Sequence, residues 1–394
     1  MPRATWWVIA GAAVVLLWWV SGLDRLAVDP RASFTSEQIA RADGYQGPRY
    51  VSSVASIVLG LLVLAVLAFS GLGDRLLDPL RRWPWAIGAV AAVGLTVLIR
   101  AAVRLPLSFW NGYVHEHTWG FSTQSIPGWL GDWLKGLGIG VAITGVVFVA
   151  LFGAVRAFPR AWPAVAALAA AGITAVLSFL GPVVLEPVFN RFRPLEDPAQ
   201  TAELKALAAR AGVPVRDVLV SDASRRTTKE NAYVSGFGAT RRLVLFDTLL
   251  EKADPDEVRL VVAHELGHRR ARHVEIGTAV GAVGAAAAVV VLWLLFRWGV
   301  LPGSPADPRS VPAILLAVTL LTLATAPAAN WLSRRFERSA DRFSLTLTGE
   351  ETAYVKAERG LALRNLSDLD PGPVTYRFLY THPAPAERLA LVDR

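Results

Sequence analysis

Three of the six histidines in this 394-residue chain fall within "VVAHELGHRRARH", Val261 to His273. His264 and His268 bracket Glu265 in the pattern H-E-x-x-H. On a helix, residues four apart lie about 40° apart around the axis and roughly 6 Å along it. Two imidazoles at that spacing can converge on one ion. Glu265 projects beside them and can reach a water on that ion. The chain has no cysteine, which excludes disulfides and thiolate metal sites. Any metal must be held by His and carboxylate. Zinc suits such donors in an open tetrahedral site, so one catalytic Zn2+ is the expected cofactor.

Two histidines leave that site one protein ligand short. His273 is the nearest candidate. If the helix continues, it points about 140° away from His268 and packs elsewhere. Glu275 lies on the correct face, but about 10 Å further along the axis. The better source is "SRRFERSADRF", where Glu337 and Asp341 stand four apart on one helix face. One carboxylate can ligate zinc, and the other can accept the outward N–H of a ligand histidine, fixing its tautomer. The set His264, His268 and Glu337 would leave the ion with a net charge of about +1, a strong Lewis acid.

These residues need elements to hold them. "DPDEVRLVVAHELGHRR" reads as a helix with Asp254 as N-cap, Pro255 in the first turn and Glu257 completing a capping box. Upstream, "LEDPAQTAELKALAARAG" reads as an amphipathic helix ended by Gly212. "VRDVLVSDAS", "NAYVSGFG" and "RRLVLFDTLL" contain short strands. All of this lies in a polar island near 190–273. Around it the chain is apolar, with 53% hydrophobic residues clustered near 5–23, 51–73, 83–99, 136–155, 161–185, 276–296 and 311–333. A membrane-spanning helix needs about 20 apolar residues. Trp6, Trp7, Trp18 and Trp19 flank the first segment as interfacial belts, so it is read as a retained span.

The expected fold is mainly α: a polytopic membrane protein with about seven transmembrane helices and a zincin-like catalytic domain carrying a small β edge. Helices one to five with their loops occupy 1–189. The catalytic domain with the H-E-x-x-H helix covers 190–273. Helices six and seven cover 274–333, and the C-terminal part of the catalytic domain, with E-x-x-x-D, covers 334–394. Two spans and a short loop separate the two polar regions, which should therefore emerge on one face of the membrane.

The net charge of +8 suggests an anionic partner. No basic run interleaved with aromatics appears, so nucleic acid is excluded and membrane lipids are the expected partner. Arg25, Arg31, Arg41 and Arg49 favour placing loop 24–50, the island and the C-terminus inside, whereas Arg75, Arg81 and Arg82 argue the other way. The expected location is a bacterial-type inner (cell) membrane with the site on the cytoplasmic side. Spans nearly free of charge argue against a transporter or scaffold with a structural zinc.

The ordered motifs resemble the type I CAAX prenyl endopeptidases, integral-membrane zinc metallopeptidases. "HEHTWGFSTQS", "PVFNRFRPLED", "NAYVSGFGATRRLVLFDTLL", "HELGH", "SRRFERSAD" and "THPAPAERL" carry the likeness over nearly the whole chain. A heat-shock-type membrane protease shares the zinc motifs but has fewer spans. The resemblance implies that His264, His268 and Glu337 bind zinc, that Glu265 is the base and that Asp341 supports His264. It implies that Asn231 and Ala232 lie on an edge strand pairing with substrate backbone, that His382 steadies the oxyanion and that Arg388 contacts substrate. It also implies a peptide or protein substrate, lipidated or plain, and a water-filled chamber among the helices. The chain departs from the family just before the edge strand: Lys229 and Glu230 in "SRRTTKENAY" stand where a Ser/His-rich run is usual.

Overall fold

The computed structural model describes residues 21–22 and 24–393. The first expected span, 5–23, therefore lies almost wholly outside the described residues. The other six are present as α1 (Ser36–Phe69), α2 (Trp85–Phe109), α3 (Ile126–Ala157), α4 (Trp162–Phe189) and, after the polar island, two more helices. The island contributes β1 (Phe192–Pro194), α5 (Pro198–Arg210), β2 (Asp217–Ser221), β3 (Ala232–Ser235), β4 (Arg242–Phe246) and α6 (Pro255–Arg270). Then follow α7 (His273–Arg297), α8 (Val311–Thr348) and α9 (Glu351–Arg364). Among the described residues, six helices are long and apolar enough to cross a membrane. Each runs past its apolar stretch, because the flanking polar residues continue the helix.

The chain divides into two compact units. One comprises Arg49–Gly181 with Glu275–Leu321. Its core sets small residues of α2 (Ala89, Ala92, Val93) against Phe148 and Phe152 of α3 and Ile314 of α8. Small side chains let apolar helices approach closely where water cannot drive them together. Beyond the apolar stretch 83–99, α2 continues through Arg100 and Arg104. Arg104 Nε donates to Ser56 Oγ at 2.8 Å. The Arg100 guanidinium lies so close to Gly60 that a Cβ there would stand 2.9 Å from its Nε.

The other unit joins residues before 49 to 182–274 and 322–394. Its sheet has the order β1-β2-β4-β3. β2 and β4 are parallel; β1 and β3 pair antiparallel with their neighbours. The three strands expected from sequence are present, and β1 was missed. Three residues ending in Pro carry little strand signal. β1 is fixed by its pairing with β2, Phe192 opposite Ser221. α5 and α6 pack on the sheet through Leu204, Leu207, Val262 and Leu266 against Val218, Leu243 and Leu245. Gly212, at φ 70°, ends α5's last turn as expected.

Candidate active site

α6 begins at Asp254 and Pro255, but the capping box does not form. Asp254 makes no side-chain capping bond. Its carboxylate pairs with Lys356, and Glu257 Oε2 accepts from Arg364 Nη2 at 3.1 Å. Tertiary ion pairs with α9 take both groups that a local cap would use. Pro at the first helical position still sets the helix start, since its missing N–H would have had no partner there.

The glycine of HELGH has a packing role. A Cβ at Gly267 would stand 3.0 Å from Ala340 Cα and 3.2 Å from its carbonyl oxygen. A side chain here would require α8 to give way by a few tenths of an ångström. The approach brings Glu337 onto the two histidines. His264 Nε2 and His268 Nε2 are 3.1 Å apart. Glu337 Oε2 lies 3.3 Å from His264 Nε2, and Oε1 lies 3.5 Å from His268 Nε2. Donors about 2.1 Å from a tetrahedral ion stand about 3.4 Å from one another, so the three separations match one coordination shell. Glu337 Oε2 is buried and makes no hydrogen bond among the described residues. A buried carboxylate oxygen left without a partner is costly, and a cation at this point would satisfy it. The donor set fits zinc.

Glu265 borders the same cavity, and burial pushes its carboxyl above the usual range. Asp341 is fully buried, with Oδ1 2.8 Å from His264 Nδ1. Arg388 lies behind Asp341, donating from Nη2 to Oδ1 at 2.5 Å and from Nε to Oδ2 at 2.9 Å. Its other terminal nitrogen lies 2.6 Å from Glu358 Oε2. Burial pushes Glu358 up to about 7, with Arg388 opposing. Sequence reasoning missed Glu358, because nothing in "KAERG" distinguishes it from a solvated helix face. The guanidinium expected to contact substrate is engaged by these two carboxylates and also borders the neighbouring cavity that Asn231 and His382 share. Arg388→Ala should destabilise the fold by about 3–5 kcal/mol, the cost of leaving a buried charge unpaired. Chemical unfolding of the purified protein measures this. A loss under about 1 kcal/mol, the range of an exposed pair, together with a raised KM, would return Arg388 to substrate contact.

The helix does not continue from His268 to His273. α6 ends at Arg270, and Arg272 takes φ 56° before α7 begins at His273. This break turns His273 back, so its Nδ1 lies 3.1 Å from His268 Nδ1. His273 is outside the three-donor group but touches its outer side. The expectation that it packs away from the site fails because the assumed straight helix is absent.

β3 forms the open edge of the sheet. The Phe246 N–H donates to the Asn231 carbonyl, so Asn231, Tyr233 and Ser235 bond inward, while Ala232 and Val234 turn their backbone groups outward. The Asn231 side chain accepts from the Ala232 N–H at 2.9 Å, and Arg269 donates to the Val234 carbonyl at 2.7 Å. A cavity of about 430 Å³ lies between this edge, His264, Glu265, His268 and Glu337, with His382 at its rim. His382 Nε2 is 3.4 Å from Glu337 Oε2. A neighbouring cavity of about 590 Å³ shares Asn231 and His382. Lys229 borders it, with Nζ donating to Tyr45 Oη at 2.6 Å; the Glu230 carboxylate turns into Arg364.

The family described as peptidase family M48 matches residues 194–394. The one described as CAAX prenyl protease N-terminal, five membrane helices, matches 26–191. An uncharacterised metalloprotease of Bacillus subtilis, YhfN, is 29% identical over 380 residues, spanning 93% of this chain and 88% of the relative. CAAX prenyl protease 1 of Saccharomyces cerevisiae is 30% identical over 324 residues, 76% of this chain and 71% of that protein. The crystal structure of S. mikatae Ste24p shares the fold, with a TM-score of 0.81 over 98% of both chains at 23% identity.

Proposed function

The chain belongs to peptidase family M48 as a multi-pass membrane metallopeptidase of the CAAX prenyl protease kind, and from that premise we propose a zinc endopeptidase acting on C-terminal CAAX-type peptides, prenylated or plain, or on membrane proteins. One observation carries the reading. Two imidazole nitrogens and a carboxylate lie at coordination-shell separations beside an open strand edge. His264, His268 and Glu337 would hold one zinc ion. That ion would supply Lewis acidity, which acidifies a water and polarises the scissile carbonyl.

The protein's own groups do the rest. Asp341 takes the Nδ1–H of His264, leaving the Nε2 lone pair for the ion. Glu265 accepts the proton of the attacking water and passes it to the leaving amine. His382, at the cavity rim, donates to the carbonyl oxygen as negative charge builds there. The outward carbonyl of Ala232 and N–H of Val234 pair with the substrate backbone, which needs little from its side chains. Arg269 occupies the Val234 carbonyl and ends that ladder. Arginines 25, 31, 41 and 49, before the apolar stretch of α1, support a cytoplasmic site in a bacterial-type inner membrane, against Arg75, Arg81 and Arg82 beyond it.

Purified protein incubated with prenylated and plain peptide libraries, with and without chelator, tests this. Chelator-sensitive cleavage is expected, restored by added zinc. Failure to cleave either library would overturn the peptidase reading. Equal cleavage of both would remove the lipid from substrate recognition.

A further inference from the structure

We propose that His273 is a positioning residue for the metal centre: it accepts the Nδ1–H of His268 and so fixes the tautomer that presents His268 Nε2 to the ion. The inference rests on the reading of His264, His268 and Glu337 as the zinc set. A histidine that gives one nitrogen to a metal carries its proton on the other, and that proton needs an acceptor. His264 has Asp341 for this purpose. Among the described residues, His268 has neither a carboxylate nor a backbone carbonyl against its outer nitrogen. It has a second imidazole, Nδ1 to Nδ1 at 3.1 Å. Two ring nitrogens at that distance share one proton. With the His268 Nε2 lone pair turned inward, the proton sits on His268 Nδ1. His273 Nδ1 therefore accepts, and His273 is a neutral ring protonated at Nε2.

The backbone is built for this contact. Arg272 takes a left-handed conformation, φ 56°, which is unfavourable for a non-glycine residue. This single residue converts a straight helix, which would carry His273 away, into a turn that brings it back. The ring is then clamped. It stacks on Phe336 with centroids 4.3 Å apart and planes within 10°, and only 7% of the residue is exposed. Phe336 immediately precedes Glu337 on α8. One short stretch of α8 thus delivers an inner donor to the ion and a wall that fixes the outer partner of another donor. The two histidines are supported unequally. His264 leans on a carboxylate and His268 on a neutral ring, which makes His268 the weaker and more replaceable donor.

The test compares His273→Asn with His273→Leu. Their side chains are nearly the same size, and only Asn can place an acceptor oxygen where Nδ1 sits. Zinc affinity is measured by competition with a chromogenic chelator, and unfolding of each metal-free protein is followed in parallel. His273→Leu should bind zinc about 10–100-fold more weakly than wild type, the usual loss for an outer partner. His273→Asn should recover most of that loss, with both metal-free variants equally stable. His273→Phe repeats the Leu arm with a larger ring, so a variant that fails to fold leaves a second comparison. Zinc affinity within about threefold of wild type for Leu or Phe, well below that loss, overturns the inference alone. A wild type that takes up no zinc overturns the site reading and this inference with it.

Discussion

Glu265→Gln is expected to keep its zinc and to lose about 10²–10⁴-fold in kcat, the contribution of a positioned general base. The amide has the same shape and fills the same place in the cavity wall, but it cannot take a proton. Glu265 is separate from the three-donor group, so its neutralisation leaves that group whole. Burial raises its carboxyl above the usual range, towards the pH at which a base both accepts and returns a proton efficiently. Elemental analysis checks the metal, and steady-state hydrolysis checks the rate. Full turnover in a zinc-loaded variant would remove Glu265 from the base role.

Glu337→Ala is expected to lose most of its affinity for zinc. It removes the only carboxylate of the three-donor group, so zinc affinity should fall by more than the roughly 100-fold that bounds the loss of an outer partner. Without the ion, burial works against the Glu337 carboxylate, but the facing imidazoles of His264 and His268 hold it below the usual range, so the metal-free variant also loses that pairing. Added zinc should raise the unfolding temperature of wild type and leave that of Glu337→Ala unmoved. Unchanged zinc stoichiometry in the variant would take Glu337 out of the set.

The grouping of Glu337 with His264 and His268 was legible in the sequence because ligand chemistry constrains the spacing. H-E-x-x-H has one reading on a helix, and the deficit of one ligand pointed to E-x-x-x-D. The helix ends were less legible. Asp254 and Glu257 satisfy a local capping rule, yet Lys356 and Arg364 outcompete the cap, and neither is near in sequence. His273 was misplaced for a similar reason. An arginine in the left-handed region has no signal in the sequence, whereas a glycine there would have announced the break. The pairing of Arg388 with Glu358 was not legible either, since nothing in the sequence joins the two before the fold is known. The spans were legible as apolar runs, and their helical extensions were not, since polar residues such as those of Ser36–Pro48 suit a helix as well as a loop.

The catalytic unit is assembled from stretches far apart in the chain. A ribosome that has finished the HELGH helix must still deliver two further membrane helices before Glu337 emerges, and some fifty residues more before Arg388. Until then His264 and His268 have no third donor, and Asp341 has no guanidinium to neutralise it. On the proposed ligand set, metal capture is thereby deferred until the last two membrane helices have been made.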